Sequence, residues 1–584
     1  MKITNVEINN FRNLTNVKLP LNKLTSIIGS NNSGKSNFLR AITLPLLTDE
    51  IGSGGKKLTW TDIGEKSKRQ YYKFIESNRS NFVNEKVPLA SFKEIIPEIT
   101  VTLDFEVDEE LYYFMKNFLV DVDNNIYQLR YKFYCPNSEE LLKHIVSVLN
   151  TFKGENLTEI KQNLLPIDYF KYSIIIPEKE ESVSFETLKS LTYNTIAAER
   201  DDFSSNNLKL GSKALINLLN NNLTNDDKVQ IEQQYENFFE EIKALTNMDS
   251  ILNWQETSHL TNAREFFDKI SVLPNMPPMT SLLNSVQLGY DDIPFTTQGL
   301  GYRNLILQVV MINSLITTSE NIYSLLTIEE PEAHLSYKNQ ILMFSYLQNS
   351  LRKNENTQII YSSHSTQFIN KLDLKDVIVF NDGKGYSLSE ELGEESLNYL
   401  TKNPNLDIFK IFFSPKCILV EGLTEEILIK NYLNNRKNQL HSIDVLSFHK
   451  GFIKIMDLWL KLNKSSSSKL GVVRDFDNQP DSRRKHEQYN GQNIKVETTS
   501  RYTLEDDIVN QDDNYSILKN YFEDKYNWNE INTKEQLIKK WKESKAEVML
   551  RFCQDAGADK LKGIALPNHI KSIIEWIEVE NDEN

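Results

Sequence analysis

The chain has 584 residues, with 66 Lys and Arg and 81 Asp and Glu, which give a formal net charge of −15. This negative net charge argues against a DNA-binding surface spread over the whole protein. The charged fraction of 25% and hydrophobic fraction of 40% are typical of globular proteins, and the length predicts three or four domains. Three cysteines that lie far apart in the sequence exclude a disulfide framework. The sequence shows no signal-peptide pattern and no apolar run long enough to span a membrane, so we expect a cytoplasmic protein without a membrane span.

Residues 1–203 predict an α/β unit that opens with two strands, a loop and a helix. Ile3, Val6 and Ile8 alternate with polar residues, and the apolar run Leu24–Ile28 leads into a loop of Gly, Asn and Ser. A helix is predicted from about Lys35. Further strand-like runs follow at 99–105, 127–134 and 172–176.

The loop after the second strand matches the phosphate-binding pattern GxxxxGK[ST]. It runs from Gly29 through Gly34, Lys35 and Ser36, between an apolar strand and a helix, where this motif has to lie. The glycines let backbone N–H groups face the phosphates of a nucleotide. Lys35 would neutralise the β- and γ-phosphates, and the Ser36 hydroxyl would bind Mg²⁺. The sequence therefore predicts an ATP site.

Residues 204–275 predict a helical insertion. Asp226–Thr246 is long, polar and helical in pattern, with apolar positions that include Ile231, Tyr235 and Phe238. Such a helix either packs on its own domain or pairs with a second copy of the chain, and the sequence leaves both possibilities open. A second part of the first domain, 276–390, is predicted to follow.

Three further patterns complete the predicted ATP site. A Gly-rich turn with Gly299 and Gly301, before a helix at 305–316, could contact phosphate at a helix N-terminus. An apolar strand then ends in Glu329, placed to reach Mg²⁺, and Glu330, placed to orient or deprotonate the attacking water. His364 ends another strand, where it could sense the γ-phosphate.

This set, in this order, resembles the ABC-type ATPase heads of the SMC and RecF group over about residues 1–385. The resemblance implies heads that dimerise with ATP at the interface, with the Gln298–Asn304 turn acting on the other subunit's nucleotide. The chain departs from that group in three ways: its signature is not LSGG, Glu329 replaces the usual Asp, and no Q-loop glutamine is evident. Asp62 is the candidate for that last position.

The C-terminal part, 411–584, predicts a second α/β unit with carboxylates at its strand ends. The apolar strand 416–420 is followed by Glu421, and the apolar strand 470–473 leads into Asp475 and Asp477. This order of strand–Glu–Gly and strand–Asp–x–Asp resembles the Toprim domain of topoisomerases, primases and related nucleases. Carboxylates in this pattern suit Mg²⁺ ions that also bind phosphate oxygens.

An ABC head with a C-terminal Toprim domain resembles the OLD (overcoming lysogenisation defect) nucleases over essentially the whole chain. The resemblance adds Glu425, four residues after Glu421, the later Glu505 and Lys545, a lysine matched to one that stabilises charge on the transferring phosphate. On physical grounds alone, Glu505 could be a helix N-terminal acid and Lys545 a solvated helix residue. Gly451 is matched to the middle Toprim turn. The basic run at 483–485 is either a DNA contact or a solvated charge run.

Together these patterns predict an ATP-binding, metal-dependent DNA endonuclease of α/β class, with Mg²⁺, for which Mn²⁺ can substitute, held by carboxylates. The predicted catalytic residues are Glu421, Asp475, Asp477, Glu330 and Lys545. The predicted ATP-binding residues are Gly29, Asn32, Gly34, Lys35, Ser36, Asn37, Glu329, His364, Gly299 and Gly301. The predicted metal ligands are Glu421, Glu425, Asp475, Asp477, Glu505, Ser36 and Glu329.

The resemblance also implies partners and a biological setting. OLD nucleases occur in bacterial antiviral systems, and the single-chain layout suits the type encoded beside a retron reverse transcriptase, whose RNA–DNA hybrid would restrain the nuclease. The expected partners are DNA, further copies of the chain in a homodimer or larger oligomer, and that retron complex. The alternative is an ATP-switched DNA-binding repair scaffold, similar to SMC and RecF proteins, with an inactive Toprim domain.

Overall fold

The computed structural model of the protein describes most of the chain, in segments. The described residues are 1–48, 56–154, 156–197, 210–246, 273, 275–284, 286, 288–290, 293–294, 297–317, 322–353, 356–365, 369, 373–402, 406–434, 443–448, 452–463, 467–491, 493–528, 531–555 and 564–579. They divide into two compact units: Met1–Tyr193 with Tyr323–Glu330 and Gln358–Asn584 form the first, and Asn194–Ile322 with Pro331–Thr357 form the second. The domain boundaries expected from the sequence stay predictions.

The first unit opens with an antiparallel sheet whose strands alternate buried and exposed side chains, as a sheet with one covered face requires. Its strands run in the order β2-β1-β5-β7-β8-β9, with β6 paired to β7. They are β1 (Lys2–Phe11), β2 (Leu14–Pro20), β5 (Ile99–Glu106), β6 (Leu119–Asp121), β7 (Ile126–Tyr134), β8 (Lys171–Ile176) and β9 (Glu181–Ser182).

The second sheet of this unit carries the phosphate loop. Its order is β16-β15-β3-β14-β13-β10-β4, and β3 pairs in parallel with both β14 and β15. Its strands are β3 (Leu24–Gly29), β4 (Leu47–Thr48), β10 (Leu191–Ile196), β13 (Tyr323–Glu329), β14 (Thr357–Ser363), β15 (Val377–Asn381) and β16 (Lys384–Ser387). Every residue of β14 is buried, as expected for a central parallel strand covered on both faces.

The third sheet of the first unit is wholly parallel, in the order β18-β17-β19-β20. Its strands are β17 (Lys416–Val420), β18 (Ile443–Ser447), β19 (Lys469–Arg474) and β20 (Ile494–Thr498). A core of apolar side chains packs beneath it, and Trp541, fully buried, contacts the rings of Phe522 and Phe552. The sheets and their helices confirm the predicted α/β class.

The helices of the first unit cover these sheets and connect their strands. They are α1 (Lys35–Thr43), α2 (Glu65–Ser77), α3 (Arg79–Val83), α4 (Leu89–Ile95), α5 (Tyr112–Met115), α6 (Ser138–Thr151), α7 (Lys161–Leu164), α8 (Phe185–Leu188), α14 (Leu388–Glu391), α15 (Glu394–Lys402), α16 (Leu423–Asn434), α17 (Phe452–Leu462), α18 (Pro480–Glu487), α19 (Leu504–Asn510), α20 (Asn514–Tyr526), α21 (Lys534–Glu543), α22 (Lys545–Asp555) and α23 (Asn568–Glu578).

The second unit is mainly helical where it is described. It contains α9 (Leu210–Asn222), α10 (Asn225–Leu245), α11 (Met279–Leu283), α12 (Leu300–Thr317), α13 (Tyr337–Lys353) and the short pair β11 (Gly289–Tyr290) and β12 (Ile293–Pro294). Helix α10 confirms the helix expected at Asp226–Thr246, and a capping box formed by Thr224 and Asp227 starts it. None of its side chains is buried, which leaves open the choice between a surface helix and a dimer arm.

A tight turn between β15 and β16 packs against the N-terminal strands and the phosphate loop. Gly383 has a φ of +71°, and a Cβ there would lie 2.2 Å from the carbonyl oxygen of Asn13. Its N–H donates to the carbonyl of Ser33 over 2.8 Å. The left-handed conformation and the close approach both require glycine.

Replacing this residue, Gly383→Ala, is therefore expected to lower the stability of the fold by about 2 kcal/mol or more, because the clash and the positive φ both add strain. Thermal unfolding followed by circular dichroism measures the change. Gly393→Ala is the matched control, since no atom lies within 4 Å of a Cβ at that position. Equal unfolding midpoints for the two variants would contradict the prediction.

Candidate functional site

The phosphate loop adopts the conformation that its glycines permit. Strand β3 ends at Gly29, with a φ of +146°, and α1 begins after Gly34, with a φ of +115°. Asn32 also has a positive φ, of 62°. The buried Lys35 side chain folds back so that its Nζ donates to the carbonyls of Gly29 over 2.9 Å and Ser30 over 2.7 Å. The side chain of the lysine expected to bind phosphate is thus held against the backbone at the start of the loop.

A polar network flanks this loop and includes Asn37. Arg12 donates to the Oδ1 of Asn37 over 2.9 Å and, through its Nε, to the Oδ1 of Asp62 over 2.8 Å. Burial opposes ionisation of Asp62, but hydrogen bonds from Thr59 and Arg12 lower its pKa. The carboxylate proposed for the Q-loop position therefore caps the turn at Thr59 and holds Arg12, a residue that the sequence reasoning missed.

The acidic end of β13 lies at the same edge of the sheet as the phosphate loop. Glu330 has a φ of 44° and donates its N–H to the carbonyl of Ser362 over 3.1 Å. The His364 Nε2 lies 3.4 Å from the Glu330 Oε1. Burial and then the charge of Lys35 lower the pKa of His364, and Glu330 opposes this shift. The structure thus brings Lys35, Glu330 and His364 together.

Two predicted Mg²⁺ ligands of this site lie where the sequence expected them. Ser36 is exposed in the first turn of α1, and Glu329 is half-buried as the last residue of β13. Strand β13 neighbours β14, which in turn pairs with β3, so both residues follow strands of one sheet. Their role in binding a metal stays a prediction.

The glycine-rich segment of the second unit begins a helix earlier than expected. Helix α12 starts at Leu300 rather than at 305, so Gly301 lies inside it and only Gly299 precedes it. A Cβ at Gly301 would lie 2.9 Å from the carbonyl oxygen of His334. The prediction of a turn there was wrong, because this close approach, and not a break in the helix, requires the glycine. A phosphate contact of Gly299 and Gly301 stays a prediction.

In the third sheet, the predicted carboxylates follow adjacent parallel strands. Val420 of β17 pairs with Val473 of β19, so the residues that follow them leave the sheet at one edge. The N–H of Asp475 donates to the Oε2 of Glu421 over 3.0 Å. A cavity of about 560 Å³ opens at this edge, lined by Glu421, Gly422, Leu423, Thr424, Glu425, Asp475, Asp477, Tyr502, Thr503, Lys542, Lys545 and Ala546.

The crowded charges in this cavity shift one another's ionisation. Burial, followed by the charges of Glu425, Glu421 and Glu505, raises the pKa of Asp475 to about 8. Burial also raises the pKa of Glu425, and Glu505 adds to the shift. Burial opposes the charge on Lys545, but Glu505 and Asp475 together raise the lysine pKa. Burial and the neighbouring carboxylates therefore both disfavour ionisation of Asp475 and Glu425.

Glu505 sits at the back of this cluster and is fully buried. Its Oε2 accepts from the Thr503 hydroxyl over 2.7 Å and lies 3.3 Å from the Lys545 Nζ. Its Oε1 and the Oδ1 of Asp475 are buried without a hydrogen-bond partner in the described part of the chain. Buried carboxylate oxygens without donors are costly, so this donor set fits a divalent cation.

The carboxylates are not already arranged as a closed ion site. Among the described residues, no group of three or more His, Cys, Asp or Glu side chains is placed so that it could hold a metal. Instead, Glu421, Glu425 and Glu505 each direct one oxygen to a protein donor. Asp477, with a φ of 48°, lines the same cavity. Binding of a cation would have to draw these side chains together.

Comparison with known proteins identifies the family. The AAA ATPase domain family matches residues 1–369, more than half of the chain. The chain belongs to the AAA ATPase domain family. It is also 24% identical over 482 residues to "Endonuclease GajA" of Bacillus cereus (strain HuB5-5), a match that covers 71% of this chain and 66%, just under two thirds, of that protein. These matches confirm the predicted resemblance to an OLD-like ATPase nuclease.

Solved structures similar to this chain include two SMC heads. A head bound to the C-winged helix domain of ScpA has a TM-score of 0.33 at 13% identity and covers 67% of this chain and 100% of its own. The SMC head domain from Thermotoga maritima has a TM-score of 0.28 at 12% identity, with 66% and 97% covered. Stu0660 of Streptococcus thermophilus has a TM-score of 0.30 at 13% identity, with 78% and 99% covered.

Several residues line the acidic cavity without having been predicted from the sequence. Tyr502, Thr503 and Lys542 are among them. A sequence signal was present for Thr503, because it forms a capping box with Asp506 at the start of α19. Lys542 then pairs with Asp506 over 2.7 Å, a contact that no local pattern predicts.

Two further predictions concern the basic run 483–485 and the turn at Gly451. Within the basic run 483–485, Arg483 pairs with Glu487 over 2.6 Å and Arg484 lies 3.8 Å from Asp481, which fits a solvated run of charges. Gly451 lies outside the described residues. In the part of the chain that the structure describes, no helix is both long enough and apolar enough to cross a membrane.

Proposed function

We propose that the protein is an ATP-binding, divalent-metal-dependent DNA endonuclease. The observation that carries this proposal is the cavity beside β17 and β19, where Glu421, Glu425, Asp475 and Asp477 meet Lys545. A phosphate loop on the same chain, and similarity to an endonuclease over 482 residues, support it. A divalent cation held by these carboxylates, beside a lysine, would suit an anionic phosphodiester substrate better than a neutral one.

The proposed metal ligands are the carboxylates that crowd this cavity, with Glu505 behind them. Bound there, Mg²⁺ or Mn²⁺ would lower the pKa of a coordinated water and offset charge on the phosphate. Lys545 and Lys542 would neutralise phosphate oxygens of the DNA strand. Thr503 keeps Glu505 in place through the 2.7 Å hydrogen bond from its hydroxyl. The carboxylates would thus hold the cation, the two lysines would face the DNA, and Thr503 would position Glu505.

The ATP site would control access to DNA and not drive the cleavage itself. Lys35 would bind the β- and γ-phosphates, with Ser36 and Glu329 at Mg²⁺. Glu330 would orient the attacking water, and His364, 3.4 Å away, would report the γ-phosphate. A homodimer, formed when ATP joins two heads, is the proposed assembly.

The proposed setting is bacterial antiviral defence, with a retron reverse transcriptase and its RNA–DNA hybrid as the finer proposal for a restraining partner. A reverse-transcriptase gene beside this one would support it. Neither proposal affects the chemistry assigned to the cavity.

The direct test is cleavage of a supercoiled plasmid by the purified full chain. Nicked or linear product is expected with Mg²⁺ or Mn²⁺, and no product is expected with EDTA. Addition of ATP shows whether the nucleotide site changes the rate. Absence of product with either metal, with and without ATP, would favour the scaffold alternative or a nuclease that requires a partner.

Cation binding to the cavity is expected to release a proton below about pH 8. Asp475, whose pKa is raised to about 8, is protonated below that pH, and a cation must displace the proton. Affinity should therefore fall as the pH falls, by at most about tenfold per unit for one proton. Titration calorimetry with Mn²⁺ in two buffers of different ionisation enthalpy, at pH 7, measures the released proton. Equal heats in both buffers would contradict the prediction.

A further inference from the structure

The backbone that carries Asp475 and Asp477 is fixed by residues 499–502, the loop after β20. The N–H of Phe476 donates to the Thr499 hydroxyl over 2.9 Å. The N–H of Asp477 donates to the carbonyl of Tyr502 over 3.2 Å. Residues 499–502 are therefore called the support loop, since the position of both acidic residues depends on it.

The support loop is in turn held by Asp507 of α19. One carboxylate oxygen of Asp507 accepts from the N–H of Ser500 over 2.7 Å, and the other accepts from the N–H of Arg501 over 2.9 Å. The Thr499 hydroxyl donates to the carbonyl of Arg501 over 2.9 Å and tightens the loop. Two adjacent backbone N–H groups thus depend on one side chain for their acceptor.

Asp507 has a further partner, His569 of α23. The Nδ1 of His569 lies 3.1 Å from the Oδ2 of Asp507, and only 3% and 6% of the two side chains are exposed. Both carboxylate oxygens of Asp507 already accept backbone N–H groups, so the proton of this pair belongs on His569. Among the described residues, neither ring nitrogen of His569 makes a hydrogen bond of good geometry, so the pair is a close buried contact.

We propose that Asp507 and His569 form a positioning pair for the acidic cavity. The pair fixes the support loop, and the support loop fixes the backbone from which Asp475 and Asp477 reach the cation. Tyr502 and Thr503 line the cavity, whereas Asp507 and His569 act only through the loop. This inference rests on the proposed function, because it assigns the pair to that same site.

Two replacements of His569 separate this role from simple packing. A buried histidine that only filled space would need no carboxylate partner, and a leucine could replace it. A histidine that orients Asp507 requires an N–H donor at the Nδ1 position. Asparagine can offer an amide N–H close to that position, so the two replacements test the donor and not the volume.

The experiment compares His569→Leu with His569→Asn in the full chain. Three quantities are measured: the thermal unfolding midpoint, the affinity for Mn²⁺ without DNA by titration calorimetry, and kcat and KM for plasmid cleavage. Glu421→Gln gives the heat of Mn²⁺ bound elsewhere. His569→Leu is expected to weaken Mn²⁺ binding and lower kcat by roughly tenfold or more, with KM for DNA nearly unchanged. His569→Asn is expected to stay within about threefold of the unsubstituted protein.

Two outcomes would overturn the inference. Unchanged Mn²⁺ affinity and kcat in a folded His569→Leu protein would show that the pair does not position the site. Equal losses in the Leu and Asn variants would show that the donor is irrelevant. If His569→Leu does not fold, Asp507→Asn, which keeps the volume but places an amide against one backbone N–H, is measured in its place with the same expected losses.

The Mn²⁺ titration keeps the two proposals apart. Normal Mn²⁺ binding and cleavage in both His569 variants, with both lost in Glu421→Gln, would remove only the positioning role. Failure of the unsubstituted protein to bind Mn²⁺ at the Glu421-dependent site would overturn the proposed function, and this inference with it.

Discussion

Replacement of Glu421 by glutamine is expected to lower the rate of DNA cleavage by about 10³-fold or more, equivalent to about 4 kcal/mol of transition-state stabilisation. Glutamine keeps the size of the side chain, and its amide oxygen can still accept the N–H of Asp475 that Glu421 now accepts over 3.0 Å. The fold should therefore be retained. The charge that would hold a cation is lost, and the initial rate of plasmid nicking measures the effect.

Glu426→Gln is the matched control for this change. Glu426 lies in the first turn of α16, beside Glu425, but pairs with Lys430 one turn along the same helix, and the cavity is lined without it. Its replacement should leave the rate within about twofold, because an i,i+4 ion pair within one helix contributes little energy. Similar rates for the Glu421 variant and this control would contradict the assignment of the cavity and favour the scaffold alternative.

The phosphate loop could be predicted from the sequence because its motif specifies its own backbone. Gly29 and Gly34 adopt the positive φ angles that the motif demands, and α1 begins at Lys35 as expected. The strand ends that precede Glu421 and Asp475 could also be predicted from the sequence, since an apolar run followed by a carboxylate indicates both the strand and its end. Local pattern and local structure coincide at these positions.

The contact between Asp507 and His569, proposed to position the acidic cavity, could not be predicted from local sequence patterns. Asp507 and His569 are 62 positions apart and belong to helices whose own patterns explain them as ordinary amphipathic segments. Their contact exists only because the tertiary fold brings α19 beside α23. A single sequence contains no signal for such a pair, whereas Thr503 could have been identified from its capping box.

The error at α12 has a similar cause. Glycines at 299 and 301 were interpreted as a turn, because glycine disfavours the interior of a helix by about 1 kcal/mol. In the fold, the helix runs through Gly301, where the carbonyl of His334 leaves no room for a Cβ. Glycine is therefore required at 301 by a tertiary contact and not by the local backbone conformation. The sequence alone does not distinguish these two reasons for a glycine.

Two replacements in the ATP site are expected to separate nucleotide binding from hydrolysis. Lys35→Ala should weaken ATP binding by about 100-fold, near 3 kcal/mol, because the loop loses its buried cation. Glu330→Gln should leave ATP affinity within about threefold but lower the hydrolysis rate by about 10²-fold or more, since an amide cannot accept a proton from the attacking water. Fluorescent-nucleotide binding and phosphate release measure the two quantities.

The same two variants show how the nucleotide site acts on cleavage. If ATP binding alone sets DNA access, Glu330→Gln should respond to ATP as strongly as the unsubstituted protein, and for longer, because the bound nucleotide persists. Lys35→Ala should not respond at all. Equal ATP responses in Lys35→Ala and the unsubstituted protein would instead mean that the head does not control the nuclease. Lys35 and Glu330 follow strands β3 and β13 of the second sheet, whereas Glu421 follows β17, a strand of a separate sheet in the same unit. Neither replacement should therefore change cleavage in the absence of ATP, and that rate is the internal control.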